Sequence, residues 1–226
     1  MTDFSPTRFP FSIVGFDLDG TLVDTSADLA AAVNHALTTD GRAALPVAAI
    51  TPMIGGGARH MLAQALGGDE AAVDRLLPAL LDFYAANIAV HSRPFLRVVE
   101  TVDALRALGV ICAVVTNKRR SFANKLLQAL GLLDRFACVI GGDTLGAGRS
   151  KPAPDPILAM IEQCGGGRAA FVGDSVYDVM AAKAAGTPVV ACSFGFLDRP
   201  VAALGADATI DDYAQLIPVL TRLGAT

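Results

Sequence analysis

The 226-residue sequence predicts an α/β fold, a doubly wound and mostly parallel sheet with a block of helices inserted after its first strand. Two patterns predict it. From Pro94 onward, short apolar runs alternate with amphipathic helical stretches, as in a parallel sheet covered on both faces. Between Ser26 and His91 the apolar spacing is helical throughout and no strand is evident.

Taken in order, residues 11–16 form an apolar run that charge ends abruptly, which reads as a buried strand. Residues 26–37 read as a capped helix, with a Ser start and Asp28 in the first turn. Residues 47–54 and 58–66 read as short helices separated by Gly55-Gly56-Gly57, and 70–89 as a long amphipathic helix despite Pro78. Helices over 98–108, 121–130, 155–164, 176–185 and 212–223 then alternate with strands over 111–115, 137–140, 169–172, 188–192 and 208–210. Gly109, Gly131 and Gly186 follow three of these helices, as left-handed C-caps do. The expected division is a Rossmann-like core over 1–22 and 93–226, with an all-helical cap over 23–92.

Composition narrows the function classes. Hydrophobic residues make up 53 % and charged ones 18 %, which implies a folded globular chain. The net charge is −4 and the longest basic run is Lys118-Arg119-Arg120, which argues against a nucleic-acid partner. No apolar run approaches the roughly 20 residues that cross a bilayer, and Met1 to Pro10 lacks the pattern of a secretory signal. The expectation is a cytoplasmic protein with no membrane partner. Cys112, Cys138, Cys164 and Cys192 show no C-x-x-C spacing, so they read as core thiols rather than zinc ligands or disulfides.

The chemistry concentrates in Asp17-Leu18-Asp19-Gly20-Thr21-Leu22-Val23-Asp24. Two carboxylates two residues apart, at the carboxyl end of a strand, stand where open α/β sheets bind ligands. In extended chain they point to the same side. Such a pair can hold a hard divalent cation and divide the roles of nucleophile and proton carrier.

This D-x-D-G-T-L run resembles the haloacid-dehalogenase-like superfamily of phosphatases, and three later motifs extend the resemblance over essentially the whole chain. The first is Val114-Val115-Thr116-Asn117-Lys118, where the resemblance makes Thr116 a phosphoryl ligand helped by the backbone N–H of Asn117. Next, Arg149-Ser150-Lys151-Pro152-Ala153-Pro154 places Lys151 where a positive charge would keep Asp17 ionised and neutralise phosphoryl charge. In Phe171-Val172-Gly173-Asp174-Ser175-Val176-Tyr177-Asp178, Asp174 can complete an oxygen-rich Mg²⁺ site with Asp17. Asp178 would either orient groups around that site or simply favour the helix start.

The resemblance implies a Mg²⁺-dependent phosphomonoester hydrolase with Asp17 as nucleophile and Asp19 as acid and base. Asp19 would also reach the metal through its backbone carbonyl. Asp19 separates this chain from the dehalogenating branch, which usually lacks the second Asp. The absence of any Lys between Gly20 and Asn117 removes the phosphonate-cleaving branch, which needs a cap lysine. β-Phosphoglucomutase-like transfer, other sugar-phosphate or pyrophosphate phosphatases, and an idle binding protein remain as alternatives.

The hinge and cap motifs look like those of bacterial phosphoglycolate phosphatases, implying a small phosphorylated metabolite such as 2-phosphoglycolate. Gly55-Gly56-Gly57 is expected to form a cap loop facing the cleft, leading into a helix near Ala58. Arg59 is expected to clamp the substrate's distal acid.

Overall fold

The computed structural model describes residues 9–225, so the outermost parts of the expected core, residues 1–8 and Thr226, lie outside the described residues. Six parallel strands form the sheet: β1 (Ile13–Phe16), β4 (Ile111–Val115), β5 (Val139–Ile140), β6 (Ala169–Gly173), β7 (Val189–Cys192) and β8 (Ala208–Ile210). Their order is β5-β4-β1-β6-β7-β8. The chain builds outward from β1 on one side, then returns to the other, so β1 sits at the switch point where α/β sheets bind ligands.

Every residue of β1 and β6 is buried, as strands covered on both faces must be. Alternation then divides the core between the two faces. Val14 and Phe16 join Cys112 and Val114 in one cluster, while Ile13 joins Ala113 and Val115 in the other. The flanking helices are α5 (Val98–Ala107), α6 (Arg120–Ala129), α7 (Asp155–Gln163), α8 (Val176–Ala184) and α9 (Leu216–Gly224).

Between residues 26 and 91 stand α1 (Ser26–Thr39), α2 (Val47–Ile50), α3 (Ala58–Ala65) and α4 (Glu70–Ala86). Leu29 and Val33 pack with Leu62, Leu76 and Leu80 in a cluster continuous with Phe16 of the sheet and Leu18 just beyond it. The chain enters and leaves this block through a two-stranded antiparallel ribbon, β2 (Val23–Asp24) against β3 (Arg93–Pro94). The sequence gives no sign of it, because two residues carry no periodicity. Asp28 fastens the exit: its buried carboxylate accepts from the N–H groups of His91 and Ser92 and from the Ser92 hydroxyl at 2.6 Å.

Prolines explain two departures from the expected helices. Residues 47–54 split into α2 and a 3₁₀ turn over Thr51–Met53, because Pro52 has no N–H to continue the α-helical ladder. Residues 212–223 split likewise, with Asp212 capping a 3₁₀ turn and Pro218 falling in the first turn of α9, where no donor is needed. Helix α4 runs through Pro78 but ends early at Asn87, whose side chain donates back to the Phe83 carbonyl at 2.9 Å. All four cysteines are free, and the sulfurs of Cys138 and Cys164 lie 4.0 Å apart. Among the described residues no helix is long and apolar enough to cross a membrane.

Candidate active site

Asp17 follows the last residue of β1, Thr116 the last of β4 and Asp174 the last of β6. Parallel pairing at matched register therefore brings all three to one edge of the sheet, although they are far apart in sequence. Lys151 arrives from the loop before α7. Its Nζ donates to Asp17 Oδ1 at 2.7 Å, to Asp178 Oδ1 at 2.6 Å and to the Val115 carbonyl at 2.9 Å.

Asp178 is fully buried on α8, and Asp178 Oδ2 accepts from Ser175 N at 2.9 Å, Ser175 Oγ at 2.6 Å and Asp174 N at 3.2 Å. Ser175 and Asp178 thus form a capping box that also holds Lys151. Both expectations for Asp178 understated it: it caps the helix and anchors the lysine. Asp174 is fixed in turn by the Thr21 hydroxyl at 2.8 Å and the Phe196 N–H at 2.7 Å.

Carboxylate oxygens of Asp17, Asp174 and Asp178 lie within 4.8 Å of one another. Three buried carboxylates thus share a single ammonium. Burial lifts Asp17 to about 7 against the pull of Lys151, and Asp178 adds to the rise. Asp174 is raised well above the carboxylate range by burial, then by Asp178 and Asp17. Burial works against the Lys151 ammonium, but Asp17 and Asp178 outweigh it and raise its pKa. An excess of negative charge behind an oxygen-only donor set fits a hard divalent cation.

Gly20 makes this cluster possible. Its φ is +82°, and a Cβ there would run into the Asp174 carboxylate. Gly20→Ala is expected to cost about 1–3 kcal/mol of stability through backbone strain alone. It should also displace the Asp174 carboxylate. Thermal denaturation checks the stability effect, and an unchanged midpoint would contradict the strain.

Asp17, Asp19 and Thr116 line a cavity of about 260 Å³ between the sheet edge and the helical block. Asp19 Oδ1 accepts from the Thr25 hydroxyl at 2.7 Å and from Lys118 Nζ at 2.8 Å. Gly55, Gly56 and Gly57 also line the cavity, and α3 begins at Ala58 with no side-chain cap on its amino end. Asn117 ties this loop to the core, since its Nδ2 donates to the carbonyls of both Gly55 and Lys151 at 2.9 Å.

The family model for haloacid dehalogenase-like hydrolases matches residues 14–192, most of the chain, including Asp17, Asp19, Thr116, Lys151, Asp174 and Asp178. The chain belongs to that family. Among haloacid dehalogenase-like relatives, a phosphoglycolate phosphatase from Agrobacterium fabrum is 41 % identical over 91 % of this chain and 90 % of its own length. An N-acetylmuramic acid 6-phosphate phosphatase from Pseudomonas aeruginosa is 36 % identical over 95 % of this chain and 97 % of its own. The crystal structure of a predicted phosphoglycolate phosphatase from Haemophilus somnus superposes with a TM-score of 0.84 at 31 % identity, covering 93 % of this chain and 98 % of that one.

One residue of this haloacid dehalogenase-like site departs from its expected role, and another enters the site without one. Arg59 borders the cavity, but its guanidinium donates to Asp74 and Glu70 at 2.7 Å each, which holds it across α3 and α4 rather than free to clamp a ligand. Lys118, by contrast, has no role in the sequence reading, and it is buried in contact with Asp19. Burial disfavours its charge, but Asp19 and Tyr84 outweigh that and raise its pKa. Only its position directly after the Thr116-Asn117 pair could have drawn attention to it.

Proposed function

We propose that this chain is a Mg²⁺-dependent phosphomonoester hydrolase working through an aspartyl-phosphate on Asp17, with 2-phosphoglycolate as substrate. The observation that carries this reading is Asp17 at the end of β1, backed by Lys151 and sharing one cavity wall with Asp19 and Thr116. The names of the A. fabrum and H. somnus relatives support the substrate.

Asp17 and Asp174 would hold Mg²⁺, with Asp19 reaching it through its backbone carbonyl, and the ion would supply charge neutralisation to the phosphoryl oxygens. Lys151 keeps positive charge against Asp17 and the transferring group, while Asp178 sets its position. Thr116 and the backbone of Asn117 orient the phosphoryl oxygens. The Asp17 carboxylate attacks phosphorus, and Asp19 gives a proton to the departing alkoxide. Asp19 then takes a proton from the water that cleaves the aspartyl-phosphate. Residues 23–92 act as a cap that closes over the cavity and excludes water, hinged on the β2–β3 ribbon.

A phosphate-release screen across small phosphomonoesters, with and without Mg²⁺, tests this reading. Release from 2-phosphoglycolate that needs the ion supports it. Faster turnover of a hexose phosphate, or transfer to a sugar instead of water, would move the chain to the β-phosphoglucomutase-like branch.

Metal binding has its own pH signature. In the metal-free protein Asp17 keeps a proton that the unfolded chain has already lost, so its contribution to stability is full below about pH 4 and declines as pH rises through about 7. A cation replaces that proton. Added Mg²⁺ should therefore raise Tm more at about pH 8 than at about pH 5.5. Equal shifts at both would remove Asp17 from the metal site.

A further inference from the structure

We propose that Lys118 and Tyr84 form a receptor for a carboxylate on the substrate, making the site selective for phosphomonoesters that carry a second acidic group. This rests on the phosphatase reading above and adds which residues hold the end of the substrate remote from phosphorus.

Lys118 is a buried cation on the wall of the cavity that Asp17 and Thr116 also line. Its Nζ donates to Asp19 Oδ1 at 2.8 Å and stands 4.6 Å from the centroid of the Tyr84 ring. An ammonium carries three donors, and Asp19 takes one of them. The ring face favours the charge but accepts no strong hydrogen bond. Donor capacity is left over beside the cavity.

Tyr84 supplies the second, independent observation. It lies on α4, lines the same cavity and is 2 % exposed, yet its hydroxyl donates to no acceptor among the described residues, because its polar neighbour, the Lys118 ammonium, has none to offer. A buried polar group left unpaired loses its hydration with nothing in return. The pairing of Lys118 with Asp19 explains the lysine but not this hydroxyl. An acceptor that reaches both groups explains both. A carboxylate has two acceptor oxygens and a charge to match the ammonium, whereas an alkyl tail has neither.

Of the other cations near the site, Arg119 lines the cavity from an exposed position, and the remaining two are engaged elsewhere. Arg59 bonds to Asp74 and Glu70, and Lys151 bonds to Asp17, Asp178 and Val115. Apolar neighbours on the cavity wall, among them Leu29, Leu77, Leu80 and Phe122, lower the local dielectric and strengthen any ion pair made there. The named substrates of the two relatives above are both phosphate esters of acids, which agrees with a receptor of this kind.

The test compares 2-phosphoglycolate with ethyl phosphate, which replaces the carboxylate by a methyl group. Dissociation constants from calorimetry on the Asp17→Asn protein report binding without turnover, and KM values on the active enzyme accompany them. The acid should bind at least about tenfold more tightly than ethyl phosphate, as expected for hydrogen bonds to a charged group. Lys118→Met should remove most of that preference while changing the ethyl phosphate constant less than about threefold. Tyr84→Phe, which keeps the ring and its packing, should weaken the acid by about three- to tenfold and leave ethyl phosphate unchanged.

Equal affinity for the two esters in the unsubstituted site, or losses that fall alike on both, would overturn the receptor. The comparison within the unsubstituted site stands even if Lys118→Met fails to fold. Hydrolysis of both esters without discrimination would remove the receptor and leave the phosphatase reading intact. Failure to hydrolyse either would sink the phosphatase reading, while the binding constants would still decide the receptor.

Discussion

Asp17→Asn is expected to abolish both turnover and the acid-stable labelling of the protein by a phosphoryl donor. The substitution keeps the shape of the side chain at the end of β1 and removes only its nucleophilic oxygen anion. It also leaves Lys151 with Asp178 as its remaining carboxylate partner, so the fold around the lysine should persist. Removal of one carboxylate from a crowded buried cluster relieves repulsion, and the metal-free variant should melt no lower than the parent. A dead but well-folded enzyme is therefore the expected result. Retention of more than about one per cent of the parental kcat, a barrier increase of less than roughly 2.7 kcal/mol, would exclude Asp17 as the nucleophile.

The parts of this site that the sequence reveals are those fixed by local chemistry. Asp17, Thr116 and Asp174 each stand directly after a run of apolar residues, and parallel strands bring their carboxyl ends to one edge. Periodicity therefore predicts both the elements and the place where their ends converge. Lys118 is hidden for the opposite reason. Its neighbours Arg119 and Arg120 are exposed, nothing within the run marks one of its three cations as buried, and its burial depends on Tyr84 of α4 and Asp19 of the β1 loop. Arg59 fails in reverse: acids one and two turns along α4 take its guanidinium, a contact between helices that spacing within one helix does not reveal. The dual task of Asp178, capping α8 and holding Lys151, likewise needs the loop before α7 folded against the start of α8.

Asp19→Asn should separate the two halves of the reaction. Asp19 lines the cavity beside Asp17, and its Oδ1 is held by Thr25 at the entry to the helical block and by Lys118 from the core. An amide there can still accept those hydrogen bonds through its oxygen, so position and metal binding should be largely retained. What it cannot do is pass a proton to a departing alkoxide or take one from water. Loss of general acid–base help typically costs about 10²- to 10⁴-fold. With an alkyl ester such as 2-phosphoglycolate, formation of the aspartyl-phosphate should slow by that range. An aryl phosphate, whose leaving group departs without protonation, should form it at a near-parental rate. Breakdown should stay slow for both, because both reach the same aspartyl-phosphate and need the same activated water. The aryl ester should therefore give a burst of phenol equal to the enzyme present, followed by a slow steady state. A first step impaired equally for alkyl and aryl esters would remove Asp19 as the acid. A steady state as fast as the burst would remove it as the base.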